Sequence, residues 1–364
     1  FAGFKVHRSF VLFGCLMIVY NIAGFISLVP YWSEPDPVMF MLQSFYLLVT
    51  ALFFALFFGE RTSERIELCL KAFTASNLFA ALCAVAGYLD IAGSSALFMN
   101  YDRAAGPFKD PNVLGSFLIA GALYCMQLLM LGRTRWRLFT AATLLVLCTG
   151  TFLTFSRGSW GAFALATSMM IALTIVTTSD RRRRANLVLG ALVVLGLVAV
   201  FLAGLMSVDA IREKVLDRTV GEGYYDPRYF NQLRSLPFLM EHPLGYGPLR
   251  FRLTFDLEPH SSYVNAFASY GWIGGFAFFI LVGATVFVGF RLCLKASPWR
   301  VHAQVVFPAL FGFLLQGFQI DIDHWRHVFL LLGAVWGLET ARQRWLAARS
   351  VPAAPLRLNA GAAT

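Results

Sequence analysis

Of 364 residues, 58% are apolar and only 14% are charged, and the mean hydropathy is +0.65. Soluble domains carry about a quarter charged residues, so this composition excludes a water-soluble globule, a disordered chain and a secreted disulfide scaffold. The formal net charge of +10 therefore has to be read against a membrane.

A bilayer crossing takes about 17–25 apolar residues. Ten runs qualify in chain order, near 10–29, 38–58, 67–88, 113–131, 137–155, 159–178, 186–206, 267–290, 302–319 and 326–346. The first lacks a small-residue cleavage site and reads as a retained span, with a longer N-terminus expected ahead of Phe1. The connections 1–9, 59–71, 132–137, 179–185, 291–301 and the tail from 339 hold nineteen Lys/Arg against five Asp/Glu, a net of +14. The opposite set nets −4. Positive charge marks the inner side, which puts the first set and both termini in the cytoplasm. The run Arg181-Arg182-Arg183-Arg184 is then a topogenic signal rather than a nucleic-acid patch. The six cysteines lie in or beside apolar runs without paired spacing and read as packing residues. Residues 1–350 are thus predicted to form one all-α, polytopic integral membrane domain of about ten transmembrane helices. A large outer loop, 207–262, interrupts it, and 351–364 is expected to be a poorly ordered cytoplasmic tail.

The polar chemistry gathers on the outer face. Arg157 sits between two apolar runs in Ser156-Arg-Gly-Ser159. A guanidinium at a membrane boundary needs headgroup phosphate, water or an anionic partner. Gly158 and Ser159 open the next helix, whose free N–H groups favour an anion at the same spot. Upstream, Asp110 is predicted to cap the helix begun by Pro111, with Asn112 at its first turn and Lys109 adding positive charge. In the large loop, Asp226 and Pro227 are predicted to start a helix with Arg228, Gln232 and Ser235 on one face. Phe230, Leu233 and Pro237 fall elsewhere on it, where they are expected to pack on the membrane domain. Arg234, Arg250 and Arg252 lie in the same loop. His260, just before a helix start, is the base candidate, because an imidazole titrates near neutral pH. The pair Asp321 and Asp323 reads as ion-pairing, with Arg326 as a partner, in preference to metal binding. His324 and His327 lack the further ligands a metal cluster needs, so no metal site is expected.

In this order the motifs resemble the O-antigen ligase/polymerase superfamily of bacterial envelope membrane proteins. The resemblance spans roughly 101–336. It rests on Gly106-Pro-Phe-Lys-Asp-Pro-Asn-Val-Leu-Gly115, Phe155-Ser-Arg-Gly-Ser159 and the long outer loop with Arg228 and Pro243-Leu-Gly-Tyr-Gly247. His260 then precedes Tyr270-Gly-Trp-Ile-Gly274. It implies a GT-C-like, metal-independent glycosyltransferase without cofactor, working on the periplasmic face of the inner membrane. The donor would be a glycan on undecaprenyl pyrophosphate. The acceptor would be lipid A–core for a ligase, the favoured reading, or another lipid-linked glycan for a polymerase. By the resemblance, Arg157 and Arg228 bind the donor pyrophosphate and His260 activates the acceptor hydroxyl. Lys109, Asn112, Arg234, Arg250, Arg252 and Arg326 are the further substrate-binding candidates, and Tyr224, Tyr225 and Tyr229 are offered as sugar-stacking rings. One departure is that Ser261 follows the histidine where the family often has Asn, with Asn265 coming later. The alternative of another class is an envelope glycan transporter or flippase. Charges at mid-span, which a transporter would need, are nearly absent.

Overall fold

A computed structural model describes residues 7–220 and 227–350, with side chains for 7–217 and 229–350. The long helices are α1 (Arg8–Leu28), α2 (Pro35–Gly59) and α3 (Thr62–Tyr88), followed after a short α4 (Ser95–Phe98) by α5 (Pro111–Met130), α6 (Arg137–Leu153), α7 (Arg157–Val176) and α8 (Arg181–Met206). The large loop contributes α9 (Asp209–Val220), α10 (Pro227–Glu241) and α11 (Phe251–Phe255), and the bundle closes with α12 (Ser262–Leu294), α13 (Arg300–Gln316) and α14 (Arg326–Ser350). Ten helices therefore stand where ten apolar runs were found. Seven of them, α1, α2, α3, α5, α7, α8 and α12, are long and apolar enough to cross a membrane by length and composition. A two-residue hairpin, β1 (Met99–Asn100) with β2 (Arg103–Ala104), folds the connection between α3 and α5.

Local chemistry sets the helix starts. Asp110 accepts from the Asn112 N–H at 2.7 Å, and Pro111 follows at the first helical position, as expected. Ser156 caps α7 through the Ser159 N–H, and Asp180 caps α8 through the Arg182 N–H. Ser261 caps α12 by accepting from the Val264 N–H. Ser and Asn are both good N-caps, so the Ser261 departure keeps this role.

Between helices, small residues let backbones approach. A Cβ on Gly333 would lie 2.5 Å from the Ala51 carbonyl oxygen, and one on Gly337 2.8 Å from that of Ala55. This four-residue spacing seats α14 on α2, as small residues do in lipid-embedded pairs. Two residues beyond Gly337, α14 holds a buried ionic cluster. Glu339, fully buried, accepts from Arg291 at 2.6 Å and from two nitrogens of Arg342 at 2.9 Å. Removing one member of such a cluster strands the others' charge. Glu339→Ala is expected to cost about 3–5 kcal/mol, read as a lower melting temperature of the purified protein, whereas Arg61→Ala at an exposed pair should change it little.

The large loop departs from expectation in one respect. Phe230, Leu233 and Pro237 do not pack on the membrane domain; all three are exposed. The polar face of α10 points inward instead, because Asn231 and Gln232 satisfy backbone carbonyls there and Ser235 and Leu239 are buried.

Candidate active site at the α12–α14 junction

The loop is fastened to the bundle by two of its glycine motifs. Gly271 breaks α12 with φ 66° and ψ −171°, a conformation essentially restricted to glycine. The break leaves the Ala268 carbonyl free to accept from the N–H groups of Tyr246 (2.7 Å) and Gly247 (3.2 Å), while the Trp272 N–H donates to the Pro243 carbonyl at 2.9 Å. Pro243–Gly247 thus docks into the gap opened inside Tyr270–Gly274. A Cβ on Gly271 would sit 2.6 Å from the Pro243 oxygen, and one on Gly245 2.6 Å from the Ala268 oxygen. Gly271→Ala is expected to cost about 1–3 kcal/mol and to speed proteolysis within 207–261. Unchanged melting and protease resistance would show that the joint tolerates a side chain.

The start of α12 is stapled to the turn between α13 and α14. The Ser262 N–H donates to the Gly317 carbonyl at 2.8 Å, and the Ile322 N–H donates to the Ser262 hydroxyl at 2.7 Å. These bonds bring His260 opposite Asp321, with Nδ1 and Oδ2 3.9 Å apart. From the other side Gln232 of α10 donates to the carbonyls of Pro259 (2.9 Å) and His260 (3.1 Å). His260 itself has φ 48°, a left-handed conformation uncommon outside glycine. Backbone strain at a held histidine is the kind of cost that surrounding contacts must offset, about 1–3 kcal/mol.

Behind this pair lies a second one. Buried Asp323 accepts from Asn265 Nδ2 at 2.7 Å and lies 3.6 Å from His324 Nδ1; the other His324 nitrogen lies 3.2 Å from the Phe40 carbonyl oxygen. Ser269 in turn donates to the Asn265 side-chain oxygen. The two carboxyls are driven apart electrostatically. Desolvation, then the charges of Asp323 and Glu258, push the Asp321 carboxyl well above the ordinary carboxylate range. Desolvation also opposes ionisation of Asp323, but the hydrogen bond and charge of His324, the Asn265 amide and its own backbone outweigh it and hold this carboxyl below its usual value. His324 is raised: burial works against its charge, and Asp323 overcomes it. Asp323 is therefore the standing anion and Asp321 the group able to exchange a proton.

Arg157 opens α7 at the same end of the bundle. It is exposed and borders a cleft of about 190 Å³ lined also by Gly158, Gly312, Gln316 and Gln319. Ser116 ties this wall together by donating to Gln316 Oε1 at 2.9 Å and meeting Ser159 at 3.2 Å. The same turn that carries Gln316 and Gln319 continues into Asp321, so the cleft and the His260 pair share one backbone segment.

The other residues singled out in the sequence fall in different places. Asn112 accepts from Arg103, whose Nε also donates to the Thr154 carbonyl at 2.7 Å, so this pair locks the β1–β2 hairpin to the turn before Arg157. Lys109 is exposed beside it. Arg250 forms an ion pair with Glu34 and stacks over the Tyr31 ring at 4.3 Å, clamping the loop to the α1–α2 turn. Arg252 meets Glu258 at 3.5 Å, while Arg234 and Arg326 are exposed. The expected pairing of Asp321 and Asp323 with Arg326 is corrected: their partners are His260, His324 and Asn265. Arg228 lies on α10, but its side chain falls outside the described residues, as do Tyr224, Tyr225 and Asp226. Among the described residues no group of three or more His, Cys, Asp or Glu is arranged for a metal ion. Sequence reasoning missed Asp321 as the partner of His260 and Arg103 as the lock on Asn112. Only the carboxylate's place on the same outer face hinted at the first.

No curated protein matches the chain. The family model described as O-antigen ligase matches residues 141–279, from α6 into α12, a stretch that takes in Arg157, the large loop and His260. Over that stretch the chain is similar to the O-antigen ligase family.

Proposed function

We propose that the protein is a glycosyltransferase of the bacterial inner membrane that transfers a glycan from undecaprenyl pyrophosphate to an acceptor hydroxyl on the periplasmic face. Lipid A–core is the acceptor we favour, which makes it an O-antigen ligase; polymerisation onto a second lipid-linked glycan is the related alternative. The observation that carries this reading is a histidine held against a carboxyl, at the end of the bundle where Arg157 borders an open cleft. His260 takes the proton of the acceptor hydroxyl, and that oxygen attacks the anomeric carbon of the donor sugar. The bond from that carbon to the pyrophosphate oxygen breaks, and its electron pair leaves with the pyrophosphate. The departing group gains negative charge, which calls for fixed cations more than for a proton. Arg157 fills that role, with Arg228 of α10 assigned to it alongside. The reading asks for no cofactor and takes its charge stabilisation from guanidinium groups rather than a metal. Asp321, once ionised, steadies the imidazolium that forms on His260.

The test is a gel of surface lipopolysaccharide from source cells that carry the wild type, a deletion or His260→Ala. Bare core with polymer left on its lipid carrier, in both mutants, is the result expected of a ligase. Core bearing a single repeat would instead mean a polymerase. An unchanged pattern would overturn the lipopolysaccharide assignment and turn attention to export of another glycan.

A further inference from the structure

α10 has three faces. Asn231, Gln232, Ser235 and Leu239 look inward to the loop and the His260 backbone, and Arg234 and Glu241 form a charged edge. The remaining arc is apolar and open: Tyr229, Phe230, Leu233, Leu236, Pro237 and Met240, with Phe230 63%, Leu233 70% and Met240 59% exposed. An uncovered apolar ridge of this kind on a helix marks a binding surface.

Its depth identifies what covers it. α12 has 33 residues, which at about 1.5 Å each is longer than the roughly 30 Å of hydrocarbon it must cross. Counting about 20 residues back from the cytoplasmic end near Arg291 reaches the Gly271 break, so that break lies at headgroup level. The α10 C-terminus is fixed there. The Trp272 indole donates to the Leu239 carbonyl at 2.9 Å, and the Trp272 N–H to that of Pro243. Tryptophan at this depth is the usual interfacial residue. The next residues of α12, Ile273 and Phe276, are 61% and 55% exposed and begin its lipid-facing surface. The ridge of α10 is thus joined end-on to a surface that already faces lipid.

We infer that α10 is an interfacial helix whose apolar ridge lies in the outer leaflet of the bilayer while its polar face holds His260. The helix then links the level of the lipid surface to the position of the base, through Gln232. A protein partner or a second copy of the chain on this ridge is the competing outcome.

The full-length protein in nanodiscs of phosphatidylethanolamine and phosphatidylglycerol decides between them, without any need for activity. A benzophenone amino acid replaces Leu233 or Met240, with Ile273 as the lipid-facing control and Tyr101, 89% exposed on the outer hairpin, as the water-facing control. Lipid adducts at 233 and 240 as abundant as at 273, and several-fold above those at 101, are expected. Adducts no higher than at 101 would overturn the inference. So would cross-links at 233 that join two protein chains in place of lipid.

Discussion

Replacing His260 by alanine is expected to lower transfer by about 10²–10⁴-fold, the usual contribution of a positioned general base. The variant should still insert and melt near the wild-type temperature, since the staple to α14 runs through Ser262 and the Ile322 N–H and not through the imidazole. Purified protein with a lipid-pyrophosphate glycan donor and an acceptor gives the rate. Full activity in this assay would remove His260 from the chemistry. The pH profile adds a sharper reading. Asp321 is held protonated above the ordinary carboxylate range by desolvation and by the nearby Asp323 and Glu258 charges. As pH rises through its raised value it becomes the anion that stabilises a protonated His260. Transfer should therefore climb with pH as Asp321 ionises, above the ordinary carboxylate range. Asp321→Asn should remove that limb and lower the plateau. An identical profile in that variant would mean that the 3.9 Å approach has no part in the reaction. The effect on stability has the opposite sign. The folded state keeps the Asp321 proton to higher pH than the unfolded chain, so this group's contribution declines as pH rises from the ordinary carboxylate value to the raised one.

Arg157→Ala should cost about 10²–10³-fold in turnover, the scale of losing one fixed donor to a developing negative charge. Arg157→Lys should recover only part of it. An ammonium keeps the charge but lacks the planar fork that grips two phosphate oxygens. The residue is exposed and α7 is capped by Ser156, so neither variant should disturb the helix. Equal activity for Arg157→Ala at saturating and limiting donor would exclude this guanidinium from the donor site. A rise in KM alone would assign it to ground-state binding rather than to the departing pyrophosphate.

How far the sequence could be read varies with the range of the forces involved. The helices and their caps were legible because they depend on neighbours. Asp110 with Pro111 reads locally as a helix start, and the cap forms as expected. His260 stood out for the same reason, as an imidazole next to a helix N-terminus. The partner of that imidazole was not legible. Asp321 reaches it only because Ser262 and Ile322, sixty residues apart, are hydrogen-bonded. The two glycine motifs were visible as motifs, yet nothing along the chain says that Pro243–Gly247 fits the break at Gly271. Arg250 was read as a substrate-binding candidate, whereas Glu34 and Tyr31 on a distant turn engage it. For α10 the pattern showed which face was apolar but not which way it points. Carbonyls of Phe255, Pro259 and His260 seek donors, so the amide side chains of Asn231 and Gln232 turn in and the apolar arc turns out.

From the sequence alone came the membrane class, the ten helical runs, the charge asymmetry between alternate connections and the polar residue types in the large loop. Hydropathy, charge and capping are free energies summed over adjacent residues, so a linear reading captures them. Tertiary structure alone decided that His260 meets Asp321, that Asp323 is the buried anion of His324 and Asn265, and that Arg157 borders a cleft walled by Gln316 and Gln319. Those pairings depend on which polar groups are brought together as the helices bury their small-residue and apolar faces, and desolvated groups far apart in sequence must then satisfy one another.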